Sequence, residues 1–422
     1  MSYLETAHQM KPELIRLRHA LHQEPEIGLD LPRTQERVLA ELEGLPLETT
    51  LGRGLTSIGS VLRGTAHPDA AQDGDGDRPV VLLRGDMDAL PVQERTGVPY
   101  ASTVDGAMHA CGHDMHTAML TGAAHLLAAR SDRLPGDVVF MFQPGEEGLN
   151  GAGHMIDEGI LDLAGRRADA AFGMHVFSGL VDHGTFLTRP GIMMSASDTL
   201  IVTVLGTGGH GSAPYKAQDP IAVVTEMISA LQVAVTRQFD IFDPVVITVG
   251  LLRAGTASNV IPDSAYFEAS VRTFSAASRE RLQELAPQLL GGIARAHGLD
   301  ADVEFRPRYP ATINNDDEAR FVDATASELF GRDRTLSMKQ PLAASEDFSR
   351  VLQQVPGAFV GLGAAVPGAD LDTVEFNHSP QAIYDDGVLA DGAALYAQLA
   401  ESRLHQLAAD SRGRITESAG TK

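Results

Sequence analysis

The amino-acid sequence predicts an α/β protein with a mostly parallel sheet, into which a smaller domain of ferredoxin-like order is inserted. With 422 residues, the chain exceeds the size at which single hydrophobic cores stop growing, so two domains are expected. Helical and strand patterns alternate in the outer parts of the chain, as they do where helices cover a parallel sheet. The middle part follows the order strand, helix, strand, strand, helix, strand, which defines the ferredoxin-like βαββαβ unit.

The outer parts of the chain carry the alternating pattern. Apolar runs and periodicity predict strands at 79–83, 137–142 and 169–173, and helices at 4–22, 34–42, 114–130 and 153–159. After residue 310 the pattern resumes with helices at 317–329 and 348–354, a strand at 358–362 and a long C-terminal helix. The acidic run from Asp73 to Asp77 is predicted to be a loop.

The middle part supplies the inserted domain. Its predicted strands are 199–205, 245–251, 265–273 and 301–305, and its predicted helices are 220–238 and 276–297. We therefore predict a discontinuous first domain at 1–193 and 308–422, interrupted by a second domain at 194–307.

Charge and composition favour a small-molecule partner. The chain has 33 basic and 56 acidic side chains and a formal net charge of −23, which repels nucleic-acid phosphates and anionic lipid surfaces. No apolar run resembles a signal sequence or a membrane span. The single cysteine, Cys111, suits a reducing compartment. We expect a cytoplasmic protein that binds neither nucleic acid nor membrane.

Unusual polar residues gather in segments that follow predicted strands or precede helices. Ligands bind at the carboxyl ends of the strands in open α/β sheets. The segments are 84–88 (RGDMD), 109–116 (HACGHDMH), 143–148 (QPGEEG) together with 173–175 (GMH), and 376–380 (FNHSP). We expect them to converge on one site.

The second of these segments combines sulfur and imidazole donors. Cys111 and His113 are separated by one glycine, and both donor types suit zinc and neighbouring divalent metals. A lone cysteine is ordinarily a small buried apolar residue, but the adjacent histidines favour a ligand. The sequence does not decide whether His109 and His116 support the ligands or lie on the surface. Asp114 is a candidate to orient a ligating imidazole.

Two adjacent glutamates, Glu146 and Glu147, follow the strand DVVFMFQ in a Pro-Gly turn. A solvated acidic pair is an equally ordinary interpretation of such a turn. In extended chain, however, adjacent side chains point to opposite sides. One carboxylate could then bind metal while the other faces an attacking water, which is the division that a hydrolytic metal site needs.

Two further histidines complete the candidate ligand set. His175 is expected to end a strand, and His378 lies between a strand and a helix. Five donors are too many for one catalytic zinc with an open position, so they indicate two metals. The members are Cys111, His113, Glu147, His175 and His378. Asp86 and Asp88 are candidates to support them.

At these residues the sequence resembles the M20 metallopeptidase family, in particular the amidohydrolase subfamily of hippurate hydrolases, bacterial aminoacylases and plant auxin-conjugate hydrolases. The motifs that carry the resemblance are HQEPEIG, RGDMDALP, HACGHDMHTAML, FQPGEEG, GMHV, GGHGSAP, SNVIP, SVRTF, SEDFS and FNHSP. The resemblance implies hydrolysis of N-acyl-amino acids with two divalent ions per subunit, zinc first and manganese, cobalt or nickel as alternatives. It assigns metal binding to the five candidate ligands and makes Glu146 the general base and acid.

The resemblance also gives the inserted domain a role as lid and dimerisation domain, and implies a homodimer. In that domain it implies that His210 contacts the scissile carbonyl, either of its own subunit's site or of the partner subunit's site. It also implies that Asn259 and Arg272 contact the substrate carboxylate. Other branches of the family carry His-x-Asp where this chain has Asp86-Met-Asp88, and an acidic bridging ligand where it has Cys111. Ligand assignments from those branches therefore do not transfer to Asp86.

Three other functions fit parts of the sequence. A dipeptidase or carboxypeptidase of the same family is the nearest alternative, and a non-catalytic binding protein on the same fold is another. The segment 206–211 (GTGGHG) matches the dinucleotide-binding pattern. Ser-Ala-Pro-Tyr follows it instead of an apolar helix, which disfavours a nucleotide site.

Overall fold

The computed structural model describes residues 1–66 and 78–419, and it divides into two compact units. Unit 1 comprises Met1–Gly191, Ile313–Gln340 and Arg350–Lys422, and unit 2 comprises Ile192–Thr312 and Pro341–Ser349. No pattern in the sequence indicated that Pro341–Ser349 belongs with unit 2. The acidic run from Asp73 to Asp77 lies outside the described residues.

The elements have the following bounds. The helices are α1 Tyr3–Gln9, α2 Lys11–Gln23, α3 Pro32–Leu42, α4 His113–Ala128, α5 Glu146–Leu149, α6 Gly151–Asp157, α7 Pro220–Gln238, α8 Ala276–Ala296, α9 Asp316–Phe330, α10 Ser349–Leu352 and α11 Leu389–Ala419. The strands are β1 Leu47–Leu51, β2 Ile58–Leu62, β3 Val80–Asp86, β4 Asp137–Gln143, β5 Ala170–Phe177, β6 Phe186–Thr188, β7 Gly191–Met194, β8 Ala196–Leu205, β9 Gly209–His210, β10 Val245–Ala254, β11 Val260–Ile261, β12 Ser264–Thr273, β13 Asp300–Tyr309, β14 Thr312–Asn314, β15 Thr335–Ser337 and β16 Gly357–Gly363.

Unit 1 is built on an eight-stranded sheet with the order β1-β2-β4-β3-β5-β16-β6-β15. The four central strands, β4, β3, β5 and β16, run parallel to one another. Every residue of these four strands is buried, as expected for strands covered by helices on both faces. The predicted α/β class with a mostly parallel sheet is confirmed.

Two helices fix the end of β3, from which the polar residues of the first segment project. α4 is apolar or buried along nearly its whole length, and Thr117 on it donates a hydrogen bond to the carbonyl oxygen of Asp86 at 2.9 Å. Tyr396 on α11 donates to the carbonyl oxygen of Arg84 at 2.6 Å. The strand end is therefore held from both helices.

Several elements of the structure differ from the predicted ones. The helix predicted at 4–22 is broken at Met10, because Pro12 lies in the first turn of α2, where proline is tolerated, rather than in a helix interior. Strands β1 and β2 were not predicted. β5 continues to Phe177, so His175 lies inside the strand and does not end it.

Unit 2 contains a four-stranded antiparallel sheet with the order β10-β12-β8-β13. With α7 and α8 this is the predicted βαββαβ arrangement. α7 is long and apolar enough to cross a membrane by length and composition alone. Its Val223, Val224 and Met227 pack in the core of unit 2, which is the ordinary position of such a helix in a folded domain. A separate two-stranded ribbon, β9 with β11, was not predicted.

Candidate metal centre and active site

Asp86 ends β3 in a buried network of charges. Arg84 donates from Nη1 to Asp86 Oδ2 at 2.8 Å, and His116 Nδ1 lies 2.5 Å from Asp86 Oδ1. Burial acts to raise the pKa of Asp86, but Arg84, His113 and His116 outweigh it and hold that pKa well below its ordinary value. The carboxylate is therefore ionised and is occupied by Arg84 and His116.

His116 connects this network to β5. The amide N–H of Val176 donates to His116 Nε2 at 2.8 Å, so that nitrogen is an acceptor and Nδ1 carries the proton toward Asp86. Both ring nitrogens are used within the protein, and the ring is fully buried. The sequence left open whether His116 lies on the surface or beside the ligands. The structure places it in the interior, where it supports the site.

The segment before α4 makes a tight turn at Gly112. Its φ of +83° suits glycine, and a Cβ there would lie 2.4 Å from Val176 Cγ2. The turn places Cys111 Sγ at 3.3 Å from His175 Nε2 and at 3.2 Å from His378 Nε2. Three of the five predicted ligands are thus in contact.

His175 has the tautomer that a metal ligand needs. Its Nδ1 lies 2.7 Å from the carbonyl oxygen of Val176, which can only accept, so Nδ1 bears the proton. Burial lowers the pKa of His175 well below its ordinary value. A neutral imidazole remains, whose unprotonated Nε2 faces Cys111, and this is the form that binds metals.

Asp88 holds the two glutamates of the Pro-Gly turn. Its Oδ1 accepts from the amide N–H of Glu146 at 2.9 Å, and its Oδ2 accepts from the amide N–H of Glu147 at 3.0 Å. The prediction that this pair is extended is wrong. The chain forms a short helical turn at Glu146–Leu149, with Glu147 at ψ 72° and Gly148 at φ 81°. Local backbone geometry imposed by glycine determined this outcome.

Glu147 reaches the second histidine of the cluster. Its Oε1 lies 3.1 Å from His378 Nε2. Hydrogen bonds with Cys111 and Glu147 raise the pKa of His378 to about 10. Burial acts to raise the pKa of Glu147, but the hydrogen bond with His378 and the nearby His113 outweigh it and lower that pKa. The space between Cys111, Glu147 and His378 therefore favours a positive charge. A metal ion can supply that charge in place of the proton on His378.

His113 is buried, and neither of its ring nitrogens has a hydrogen bond with the residues that the structure describes. Its Nε2 lies 3.4 Å from Asp86 Oδ2 and its Nδ1 lies 3.5 Å from Asp88 Oδ1, and neither approach has hydrogen-bond geometry. Buried polar groups are normally satisfied. A metal ion bound to His113 would satisfy one of its two ring nitrogens.

The donor atoms form overlapping groups whose members lie within 4.8 Å of one another. One group is Cys111, His113 and His175, and another is Cys111, Glu147 and His378. They share the sulfur, and a third group joins His113 to Glu146 and Glu147. Imidazole, carboxylate and thiolate fit zinc and neighbouring divalent ions. The five predicted ligands therefore fit two metal ions with a common thiolate.

Asp114 and His109 lie one layer away from the donors. Asp114 Oδ2 accepts from Arg18 Nε at 2.7 Å and lies 2.8 Å from His22 Nδ1, so its carboxylate binds these side chains and none of the five candidate ligands. His109 is buried, its ring nitrogens have no hydrogen-bond partner among the described residues, and burial lowers its pKa to about 3. Sequence reasoning missed Arg18 and His22, whose helix α2 is remote in the chain.

The three predicted residues of the inserted domain lie on different parts of unit 2. His210 on β9 and Asn259 before β11 are neighbours, since the Gly211 amide donates to the Asn259 carbonyl at 2.8 Å. Both side chains are exposed. His210 Nδ1 accepts from the Ser212 hydroxyl or amide, which leaves Nε2–H free to donate.

Arg272 lies on β12. Its Nη1 donates to Ser345 Oγ at 3.0 Å, and no carboxylate pairs with it in the described part of the chain. Burial lowers the pKa of Arg272. An incompletely neutralised, half-buried guanidinium is suited to bind an external carboxylate.

Comparison with known proteins agrees with this site. The model of peptidase family M20/M25/M40 matches residues 82–402. The hippurate hydrolase of Campylobacter jejuni is 36% identical over 391 residues, 93% of this chain and 96% of that protein. Thermostable carboxypeptidase 1 of Saccharolobus solfataricus is 34% identical over 391 residues, 92% and 94% of the two chains. The crystal structure of the YXEP protein of Bacillus subtilis, a dinuclear metal-binding peptidase of family M20, gives a TM-score of 0.78 at 31% identity, covering 94% of this chain and 99% of that one.

The fold and the donor cluster define a metal-dependent hydrolase that acts on amide bonds. The chain belongs to peptidase family M20/M25/M40.

We expect Asp88→Asn to lower kcat/KM for any amide substrate by about 10- to 100-fold, as loss of a group that positions a metal site typically does. The asparagine amide nitrogen cannot accept a hydrogen bond, so one of the two amide N–H groups loses its acceptor. Steady-state kinetics with metal analysis measure the effect. Asp105→Asn, at an exposed position, is the matched control, and equal rates for both variants would contradict the positioning role.

Proposed function

We propose that this chain hydrolyses N-acyl-amino acids to a carboxylic acid and a free amino acid. The observation that carries the proposal is the pair of three-donor groups that share Cys111, with Glu146 close to two of the donors, His113 and Glu147. The similarity to a hippurate hydrolase at 36% identity supports this substrate class. The chain's strong negative charge agrees with a small substrate rather than a polyanion.

Cys111, His113 and His175 would hold one divalent ion, and Cys111, Glu147 and His378 would hold the other. Zinc is the proposed metal, with manganese, cobalt or nickel as alternatives, because the donors combine nitrogen, oxygen and sulfur. When bound, such a pair polarises a carbonyl and lowers the pKa of water. Asp88 supports Glu147 by accepting a hydrogen bond from its amide N–H, and Asp86 adjoins His113, with Oδ2 3.4 Å from Nε2. Asp114 fixes the start of α4 through Arg18 and His22.

Glu146 performs the proton transfers. Its carboxylate accepts a proton from the attacking water as the oxygen bonds to the amide carbon. It then donates that proton to the amide nitrogen as the carbon–nitrogen bond breaks. Asp88 fixes the Glu146 backbone for both steps, since it binds the amide N–H. One water is consumed and one carboxyl and one amino group are formed.

We assign recognition of the rest of the substrate to unit 2. His210 Nε2–H donates to the amide carbonyl oxygen, where negative charge develops. Arg272 and Asn259 bind the substrate carboxylate. We further propose that the domain predicted at 194–307 acts as a lid and dimerisation domain, and that the enzyme is a cytoplasmic homodimer.

We expect Arg272→Ala to weaken binding of N-acyl-amino acids by about 2 to 5 kcal/mol, as breaking a hydrogen-bonded charge pair does. KM for a substrate whose carboxylate is amidated should change far less, because that substrate lacks the charge. His210→Ala should instead lower turnover of both substrates. Arg253→Ala removes an exposed charge elsewhere in unit 2 and serves as control. An equal loss for free and amidated substrates in Arg272→Ala would argue against a carboxylate clamp.

A carboxypeptidase activity is the second candidate. The similarity to thermostable carboxypeptidase 1 at 34% identity favours it, and a C-terminal peptide bond shares with an N-acyl-amino acid the carboxylate next to the scissile amide. Metal analysis combined with a substrate screen separates the two. Faster hydrolysis of acetyl, benzoyl, long-chain or indoleacetyl amino acids than of dipeptides and longer peptides supports the first proposal, and the reverse order supports the second.

A further inference from the structure

Two large apolar side chains are exposed beside the glutamate pair. Leu149 ends the helical turn that begins at Glu146, and 46% of it is exposed. Ile27 is 45% exposed, and its backbone forms a parallel bridge with Ala89, which follows Asp88. Because Asp88 binds the amides of both glutamates, Ile27 and Leu149 adjoin the segment that carries them.

Gly28 lies between Ile27 and Leu29 in the chain and is contacted by Leu149. Its φ is +91°, and a Cβ there would lie 3.2 Å from Leu149 Cδ1, so Leu149 packs on the backbone directly after Ile27. Leu29, which is half-buried, packs against Gly145, where a Cβ would lie 2.3 Å from Leu29 Cδ2. We name Ile27, Leu29 and Leu149 the apolar patch. Contiguous exposed apolar side chains beside a functional site indicate a binding surface.

The charge around the apolar patch determines which part of a substrate it accepts. Glu26 and Asp30 flank the apolar patch in the sequence. Arg33 pairs with Glu26 at 3.1 Å, but Asp30 is exposed and has no basic partner in the described part of the chain. The unpaired carboxylate of Asp30 repels a substrate carboxylate, whereas it does not repel an uncharged group.

We propose that the apolar patch binds the acyl group and that the enzyme prefers a medium-chain or aromatic acyl group over acetyl. This rests on the proposed function, in which the amino-acid side of the substrate is anionic and the acyl side is neutral. An acetyl group offers one methyl and leaves most of the patch in water. Each additional methylene group buried on it should raise kcat/KM about fourfold.

The test compares acetyl, hexanoyl, octanoyl and benzoyl derivatives of one amino acid with the full-length, metal-loaded enzyme. We expect kcat/KM to rise with acyl size in the wild type. Leu149→Ala and Ile27→Ala should each lower the octanoyl-to-acetyl ratio of kcat/KM by about tenfold, within the range for lost apolar contacts in a pocket. Leu336→Ala on β15 removes a leucine of matching exposure, 45%, at the far edge of the sheet, and should leave the ratio unchanged.

Two outcomes overturn the acyl-group assignment. In the first, the ratio is unchanged in both patch variants although acetyl and octanoyl substrates are hydrolysed. In the second, all substrates lose the same factor, which would mean that Leu149 only positions Glu147. A wild-type enzyme that hydrolyses none of the four substrates overturns the proposed function itself, and the two failures are distinct because no ratio can then be measured. Metal content of each variant shows whether the site has remained assembled.

Discussion

Glu146→Gln is expected to reduce kcat by about 10²- to 10⁴-fold, the range for loss of a general acid–base group. Glutamine has nearly the shape of glutamate but can neither accept the proton of water nor return it to the leaving nitrogen. The five donors of the metal cluster remain, so metal content should equal that of the wild type. Steady-state kinetics, elemental analysis and thermal unfolding measure the three quantities on one preparation.

Glu147→Gln is the matched comparison, since it makes the same chemical change one residue away. Glu147 Oε1 lies 3.1 Å from His378 Nε2, inside the donor group with Cys111. This variant should lose metal as well as rate. If Glu147→Gln retained all metal while Glu146→Gln emptied the site, the two glutamates would exchange their assigned roles.

The convergence of distant segments could be predicted from the sequence. β3, β4 and β5 are neighbouring parallel strands, so residues close to or just after their carboxyl ends meet at one edge of the sheet. That rule alone brings together Asp86, Glu146 and His175. Cys111 and His113 were predictable as a pair because Gly112 separates them in a turn that presents both side chains.

Other features could not be predicted because they depend on contacts remote in the chain. Asp114 binds Arg18 and His22, and nothing local in the sequence distinguishes these partners. The β9–β11 ribbon pairs His210 with Val260, yet each strand has two residues, too few for a periodic pattern. The turn at Glu146 departs from extended geometry because Gly148 adopts a positive φ.

The role of Asp86 is determined by the side chains that it contacts and not by its place in the sequence motif. Arg84 and His116 occupy both of its carboxylate oxygens. Both oxygens of Asp86 are thus bound by protein side chains, although other branches of the family carry a histidine at this place. The Cys111 sulfur instead lies between His175 and His378. Binding of metal ions by the whole cluster should therefore depend most on Cys111.

We expect Cys111→Ser to lower metal content from about two ions per subunit and to reduce activity in parallel, because both donor groups lose their shared member. Serine is close to isosteric with cysteine, but its hydroxyl is a poorer ligand than a thiolate for borderline-soft ions. His378→Gln is the matched comparison, because His378 belongs to one of these two groups, so content should fall to about one ion. Elemental analysis after dialysis against a weak chelator, together with kcat/KM, distinguishes the variants. Full metal content and full activity in Cys111→Ser would make Cys111 a buried apolar residue and place the common ligand elsewhere.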